Sequence, residues 1–168
     1  MREEHWQQLV MSALVRAMDL RPDGFFTEVP TRDGSRLDLL YVAHGRFIGF
    51  ELKVAERGQA AATLDSRAVR QLRHFAAVCD QVYLVTIAAP RHYMLSADGT
   101  TLVAEPLELQ PTPEGVGWAV FDRLALEVVV LTSPAADRTT SPIDRGFVVE
   151  HLLGRLGRQQ RAIQECRT

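Results

Sequence analysis

Residues 36–53 read RLDLLYVAHGRFIGFELK and decide the fold of the chain. Two apolar runs flank the dipeptide HG at residues 44–45, a pattern typical of a β-hairpin with a tight turn. Counting outward from this turn places Asp38 opposite Glu51. Because side chains alternate between the two faces of a strand, Glu51 and Lys53 share one face. The hairpin therefore predicts that Asp38, Glu51 and Lys53 converge.

These charges occur in a segment, FIGFELKVA, that is apolar enough to be a central strand. Like charges opposite each other in a ladder, with β-carbons about 5 Å apart, destabilise the strand pair. Ions taken out of water also need partners. One interpretation is a half-buried salt-bridge cluster of Asp38, Glu51, Lys53 and Arg36. The other is a cation bound between the two carboxylates.

Metal chemistry accounts better for two carboxylates and a lysine on neighbouring strands. Mg²⁺ prefers carboxylate oxygens, keeps several waters, and is typically held by one or two carboxylates plus substrate phosphates. Asp38 and Glu51 would bind it, and the backbone carbonyl of Leu52 is a natural additional ligand. Lys53 would orient or deprotonate the attacking water, or stabilise charge on a phosphate.

Length and composition narrow the class of protein. The chain has 168 residues, 46% hydrophobic and 24% charged, which predicts one globular domain over residues 1–168. Its two cysteines lack the spacing of a zinc site or a disulfide framework. A net charge of −2 does not indicate a nucleic-acid partner, so any such contact must be local. Neither a membrane span nor a signal peptide is recognisable, and we expect a cytoplasmic protein without membrane association.

The rest of the chain predicts an α/β fold with a central mixed β-sheet flanked by helices. Three- and four-residue apolar spacing indicates helices, and short apolar runs bounded by turn residues indicate strands. Besides the hairpin, these patterns predict helices at 6–18, 64–79 and 143–164, and strands at 25–29, 81–87, 92–95, 117–122 and 125–131. A right-handed crossover sets strand 81–87 parallel to strand 47–53. Residues 1–88 thus form an αβββαβ core, and residues 89–168 form a C-terminal extension of strands and a helix.

Two helices carry side chains that extend the candidate site. On the helical wheel, Glu3 lies on the inward face of the first helix. Its alternative role is that of an ordinary acid complementing the helix N-terminus. The second helix presents a narrow stripe without acids, made of Arg67, Arg70, Gln71 and His74. The alternative here is a surface helix that happens to be basic.

Together these residues resemble the PD-(D/E)XK nuclease superfamily, which has the restriction-endonuclease-like fold. The resemblance rests on Glu3 in a first helix, Asp38 at the start of a hairpin, Glu51-Leu52-Lys53 on the next strand, and Gln71 on the following helix. It covers residues 1–88 and is nearest to small bacterial DNA-repair-associated nucleases and Holliday-junction-resolvase-like members. The later segments PEGVGWAVFD and LEVVVLTSPA are similar in layout to the repair-associated group. The proline that names the motif is absent, since Leu37 precedes Asp38.

The resemblance implies a role for each matching residue. Asp38 and Glu51 would bind Mg²⁺, for which Mn²⁺ would substitute, and Glu3 would add to the metal shell. Lys53 would be catalytic, and Gln71 would position the substrate or Lys53.

The expected function is a Mg²⁺-dependent nuclease that hydrolyses DNA phosphodiester bonds in repair or recombination. Arg67, Arg70 and His74 would hold the DNA backbone, joined by Arg36. Backbone contacts carry no base information, so cleavage would be structure-directed. A homodimer is compatible with this reading. Two alternatives stay open: a nucleic-acid-binding module of the same fold without turnover, and a structural or assembly subunit.

Overall fold

The computed structural model describes residues 3–55, 64–88, 93–95, 102–104, 112–135 and 139–165. The helices are α1 (Glu3–Ala17), α2 (Ser66–Val78) and α3 (Pro142–Glu165), with a short 3₁₀ turn at Pro22–Gly24. The strands are β1 (Phe25–Pro30), β2 (Arg36–Ala43), β3 (Arg46–Val54), β4 (Gln81–Ala88), β5 (Tyr93–Leu95), β6 (Leu102–Ala104), β7 (Gly117–Asp122) and β8 (Glu127–Thr132).

Six strands form one mixed sheet in the order β1-β2-β3-β4-β7-β8. β1, β2 and β3 form an antiparallel meander, β3, β4 and β7 are parallel, and β8 returns antiparallel to β7. The α/β class with a mixed sheet is confirmed, as is the parallel crossover from β3 through α2 to β4. The C-terminal strands β7 and β8 extend the same sheet, while β5 and β6 pair separately.

The hairpin register is the one predicted from the turn. Its pairs run from Ala43 with Arg46 to Leu39 with Phe50, so Asp38 and Glu51 are the next opposed residues. The residues at 44–45 both have left-handed backbone, with φ of 50° and 73°. Two left-handed residues make the turn whose twist matches that of the flanking strands.

The two faces of the sheet are covered by different helices. One face packs against α1, with Val10 and Leu14 over Leu39 and Phe50. The opposite face packs against α2 and α3, whose buried residues include Leu72, Phe75, Val148 and Leu152. Since Phe47 lies on the α2 side, strand alternation puts Glu51 and Lys53 on that side too.

Helix α3 is attached to the turn end of the hairpin by one side chain. Arg145 forms an ion pair with Asp80 at 2.8 Å, and its guanidinium lies 4.3 Å above the centre of the Phe47 ring. It also donates a hydrogen bond to the carbonyl of Gly45. Asp80 in turn accepts the Phe47 backbone N–H at 2.7 Å. The C-terminal helix thereby fixes the start of β3.

One predicted strand boundary is wrong. Ala125 and Leu126 were expected to open the strand at 125–131, but they lie in the turn before β8, and Leu126 has a φ of 55°. The Asp122 carboxylate accepts the backbone N–H groups of Leu124 and Ala125, which stabilises that turn. Among the residues placed by the structure, no helix combines the length and apolarity that a membrane crossing requires.

Candidate metal site and adjoining cleft

The predicted charges meet where β2 begins and β3 ends. The Lys53 ammonium lies 2.6 Å from Glu51 Oε1, within hydrogen-bond distance. The Glu51 side chain is 2% exposed, whereas that of Lys53 is 31% exposed. The buried acid is therefore reached from solvent past the lysine.

Asp38 is fixed by the backbone of the opposite strand. Its Oδ2 accepts the Leu52 N–H at 2.7 Å, just beyond the last regular β2–β3 pair. The N–H and C=O of one strand residue point to the same side of the strand. The Leu52 carbonyl therefore faces the Asp38 side of β3.

Burial sets the electrostatics of the two acids. It raises the pKa of Asp38 to about 7, assisted by the charge of Glu51 and opposed by the Leu52 N–H and by Lys53. Burial also raises the pKa of Glu51, and hydrogen bonds with Lys53 and, when a proton is shared, with Asp38 oppose it. Within the described structure, Glu51 Oε2 is buried and has no hydrogen-bond partner. Two acids thus face one lysine, and one buried oxygen is unsatisfied.

Glu28 on β1 and Gln7 on α1 adjoin this site and were not predicted. Gln7 Nε2 donates a 2.6 Å hydrogen bond to Glu28 Oε1, and Gln7 itself is buried. The Glu28 charge contributes to the raised pKa values of both Asp38 and Glu51, after burial as the main cause. A strand count centred on Asp33 places Glu28 opposite Asp38, but a turn of this length allows other registers as well.

Arg36 does not complete a salt-bridge cluster around the two acids. Its guanidinium lies 3.5 Å from Glu28 Oε2 and its side chain is exposed. Of the salt-bridge cluster considered from the sequence, the structure forms the ion pair of Lys53 with Glu51. Among the described residues no cationic side chain forms an ion pair with Asp38, although the charge of Lys53 lowers the pKa of Asp38.

The stripe on α2 lines a separate open cleft of about 340 Å³. The Asp65 side chain caps the helix by accepting the Ala68 N–H, which fixes where the stripe begins. Its four members, Arg67, Arg70, Gln71 and His74, face the turn residues Asp33, Gly34 and Ser35. Gln71 thus belongs to the cleft, beside residues that were expected to hold DNA.

The cleft contains an acid contributed by another element. His74 Nε2 lies 3.7 Å from Asp33 Oδ2. Burial alone would raise the pKa of Asp33, but hydrogen bonds from Thr31 and Ser35 outweigh it and, with His74, hold that pKa below its usual value. The stripe is basic along its own helix, yet it faces a carboxylate across the cleft.

Glu3 is placed only by its backbone, in the first turn of α1. Its side chain lies outside the described residues. Gln7 follows four residues later, and residues four apart are neighbours on a helix surface. The turn of α1 that carries Glu3 is therefore adjacent to the turn that contacts Glu28.

The donor set fits a cation that keeps much of its water. Within the described ranges, no three Asp, Glu, His or Cys side chains lie close enough to hold a metal ion together. Asp38 and Glu51 supply two carboxylates, one with an unsatisfied buried oxygen, and Leu52 supplies a carbonyl. Oxygen ligands in that number suit Mg²⁺ better than Zn²⁺. Comparison with protein-family models, curated proteins and solved structures gives no match for this chain.

Proposed function

We propose that the protein is a Mg²⁺-dependent nuclease of the restriction-endonuclease-like PD-(D/E)XK type that hydrolyses DNA phosphodiester bonds. The observation that carries this proposal is the Glu51 carboxylate, which is buried, adjacent to Asp38, and unsatisfied at Oε2. A structural salt bridge does not account for that oxygen. A cation held by Asp38 and Glu51 would occupy that position in place of a proton shared between the two acids.

Charge balance favours the same conclusion. Removing one partner from a buried ion pair is strongly destabilising, because the remaining charge is uncompensated. With both acids ionised, Lys53 neutralises only one of them. The second negative charge persists at the edge of the sheet unless a proton or a metal ion neutralises it. In the proposed hydrolysis the metal ion takes the place of that proton.

Each residue of the site has its own role in the proposed hydrolysis. When bound, the divalent ion lowers the pKa of water and stabilises charge on the phosphoryl group. Asp38, Glu51 and the Leu52 carbonyl hold it, and Glu3 is proposed to add a further carboxylate. Lys53 brings an ammonium group beside Glu51, where it orients the attacking water and stabilises the phosphate oxygens. The water oxygen would bond to phosphorus as the P–O bond to the leaving group breaks, with one proton of the water passing to solvent and the leaving oxygen taking up a proton from solvent.

Substrate contacts are proposed for the cleft on α2. Arg67 and Arg70 are exposed and line it, so their guanidinium groups are accessible to phosphates. Gln71 and His74 provide neutral or weakly basic hydrogen-bond donors in the same cleft. Such contacts position the DNA backbone without reading bases, which supports structure-directed cleavage in repair or recombination. Arg36 would have to break its ion pair with Glu28 before it could contact the DNA backbone.

The test is cleavage by the purified chain with Mg²⁺ or Mn²⁺ on branched, nicked and single-stranded DNA. Asp38→Ala and Lys53→Ala should abolish cutting and leave DNA binding measurable. Glu127→Ala, which removes an exposed acid from β8, should cut like the wild type. Metal-independent cutting, or unchanged activity in both site variants, would refute the proposal. Salt-sensitive binding without cleavage under any divalent ion would identify a binding module instead.

A further inference from the structure

Glu28 occupies an irregular position in β1, directly across from Asp38. The β1–β2 pairs Thr27 with Leu39 and Val29 with Leu37 bracket it on both sides. Glu28 and Asp38 stand at the register position between these pairs, where no regular pair forms. Glu28 has a φ of 52°, in the left-handed region, within an extended strand.

Glutamate is an unfavourable residue for such a backbone. Its β-carbon crowds the carbonyl in the left-handed region, a cost that glycine does not have. Strained non-glycine residues of this kind concentrate where a side chain must be aimed. A glycine at position 28 would form the same irregularity at lower cost, so the side chain is what the position requires.

The side chain is held from two sides. Gln7, which is 4% exposed, donates to Oε1 at 2.6 Å. Arg36 lies 3.5 Å from Oε2. A buried amide committed to one carboxylate oxygen fixes the orientation of the group, while the looser, exposed contact leaves the other oxygen accessible. The carboxylate is thus oriented and still partly available.

The role proposed for Glu28 is an indirect one. Glu28 does not form a metal-holding trio with Asp38 and Glu51 in the described structure. A cation that keeps several waters, however, needs acceptors for the hydrogens of those waters. We propose that Glu28 is a positioning residue that accepts hydrogen bonds from the hydration shell of the cation held by Asp38 and Glu51. This inference rests on the proposed metal site and deepens it.

Electrostatics agrees with that role. In the metal-free protein Glu28 adds a third negative charge near two buried acids, and its charge contributes, after burial, to the raised pKa of each. Without a cation this charge is offset in part by Arg36 at 3.5 Å. A bound cation would compensate the negative charge of Glu28.

The experiment measures Mn²⁺ binding by calorimetry and metal-free thermal unfolding on the same full-length variants. Glu28→Gln keeps the length of the side chain and removes its charge, and Glu28→Gly also relieves the backbone. Both should weaken Mn²⁺ binding by about 10-fold, the lower end of the effect of outer-shell partners. Glu28→Gly relieves the backbone but leaves the buried Gln7 amide without its acceptor, so it should unfold at an equal or lower temperature than the wild type. His44→Gly relieves a similar φ of 50° at the exposed turn and should leave Mn²⁺ affinity unchanged.

Each other result decides against the inference. Wild-type Mn²⁺ affinity in both Glu28 variants, with binding lost in Asp38→Asn, would overturn the role of Glu28 and leave the proposed metal site intact. Lower stability with unchanged affinity would make Glu28 purely structural. If Glu28→Gly fails to fold, the affinity of Glu28→Gln decides. Absence of Mn²⁺ binding by the wild type would overturn both the site and the inference.

Discussion

The Asp38 carboxylate takes the place of a backbone carbonyl in the β2–β3 ladder, because its Oδ2 accepts the Leu52 N–H at 2.7 Å. The same contact leaves the Leu52 carbonyl on the Asp38 side of the strand. A side chain tied to the opposite strand has little freedom, so the Asp38 carboxylate has a fixed position without a bound ion. The site is therefore preorganised on its β2 side.

Replacing Asp38 by Asn should change the pH dependence of stability. The folded-state pKa of Asp38, about 7, lies above its ordinary 3.8, so the folded protein binds this proton more tightly than the unfolded chain. That stabilisation is complete below pH 3.8 and is lost as the pH rises to about 7. At pH 8 and without metal, Asp38→Asn should therefore be more stable than wild type by about 1–3 kcal/mol.

Denaturant unfolding at pH 5 and pH 8 measures this difference. The advantage of Asp38→Asn over wild type should shrink at the lower pH. Glu127→Asn, at an exposed position, is the control: its difference in stability from the wild type should not change between the two pH values. Parallel curves for wild type and Asp38→Asn would contradict the raised pKa.

Divalent cations should stabilise the protein mainly at higher pH. Mn²⁺ and protons compete for Asp38 and Glu51, so binding should be weaker at pH 5 than at pH 8. A ligand at 100 times its Kd adds about 2.7 kcal/mol to the free energy of unfolding. Thermal melts with and without Mn²⁺ test this, and Asp38→Asn should lose the increment. A shift of equal size in that variant would place the ion elsewhere.

Lys53→Met should destabilise the metal-free protein, because it leaves Glu51 buried without its cation. We expect a loss of about 2–3 kcal/mol, below the range for fully buried pairs, since Lys53 is 31% exposed. Adding Glu51→Gln to this variant should recover most of the loss, as the unpaired charge disappears. Equilibrium unfolding of the two single variants and the double variant measures the coupling. Additive single effects would mean that the 2.6 Å contact contributes nothing.

Arg67→Ala and Arg70→Ala should each weaken DNA binding uniformly across sequences and reduce its salt dependence. Each phosphate contact contributes roughly one unit to the slope of log K against log salt. Arg73→Ala is the matched control, because Arg73 is exposed on the same helix but does not line the cleft. Fluorescence anisotropy at several salt concentrations gives both quantities. Equal losses in all three variants would indicate a general charge effect rather than a cleft.

The hairpin could be predicted because its turn fixes its register. Once residues 44–45 form a two-residue turn, every pair to Leu39 and Phe50 follows, and with it the approach of Asp38 to Glu51. The parallel pairing of β4 with β3 could be predicted because the crossover connection through helix α2 has one favoured handedness. Both depend on local rules with few alternatives.

Glu28 could not be placed with the same rules, because the longer turn before β2 allows several registers and no propensity favours glutamate at a φ of 52°. The apolar and basic pattern of α2 does not predict the Asp33 carboxylate across the cleft, because Asp33 belongs to another element. Leu126 has a left-handed backbone because it lies in the turn that the Asp122 side chain stabilises. The alternation of apolar residues in a strand does not predict such a turn. These features depend on side chains from separate segments.

The attachment of Arg145 to Asp80 and Phe47 has a consequence for motion. It immobilises the turn end of the hairpin, while Asp38 and Leu52 lock the opposite end. A hairpin fastened at both ends cannot hinge to accommodate a bound molecule. Induced fit is therefore expected in α2 and in the turn at 31–35, which would close on a substrate while the carboxylates stay still.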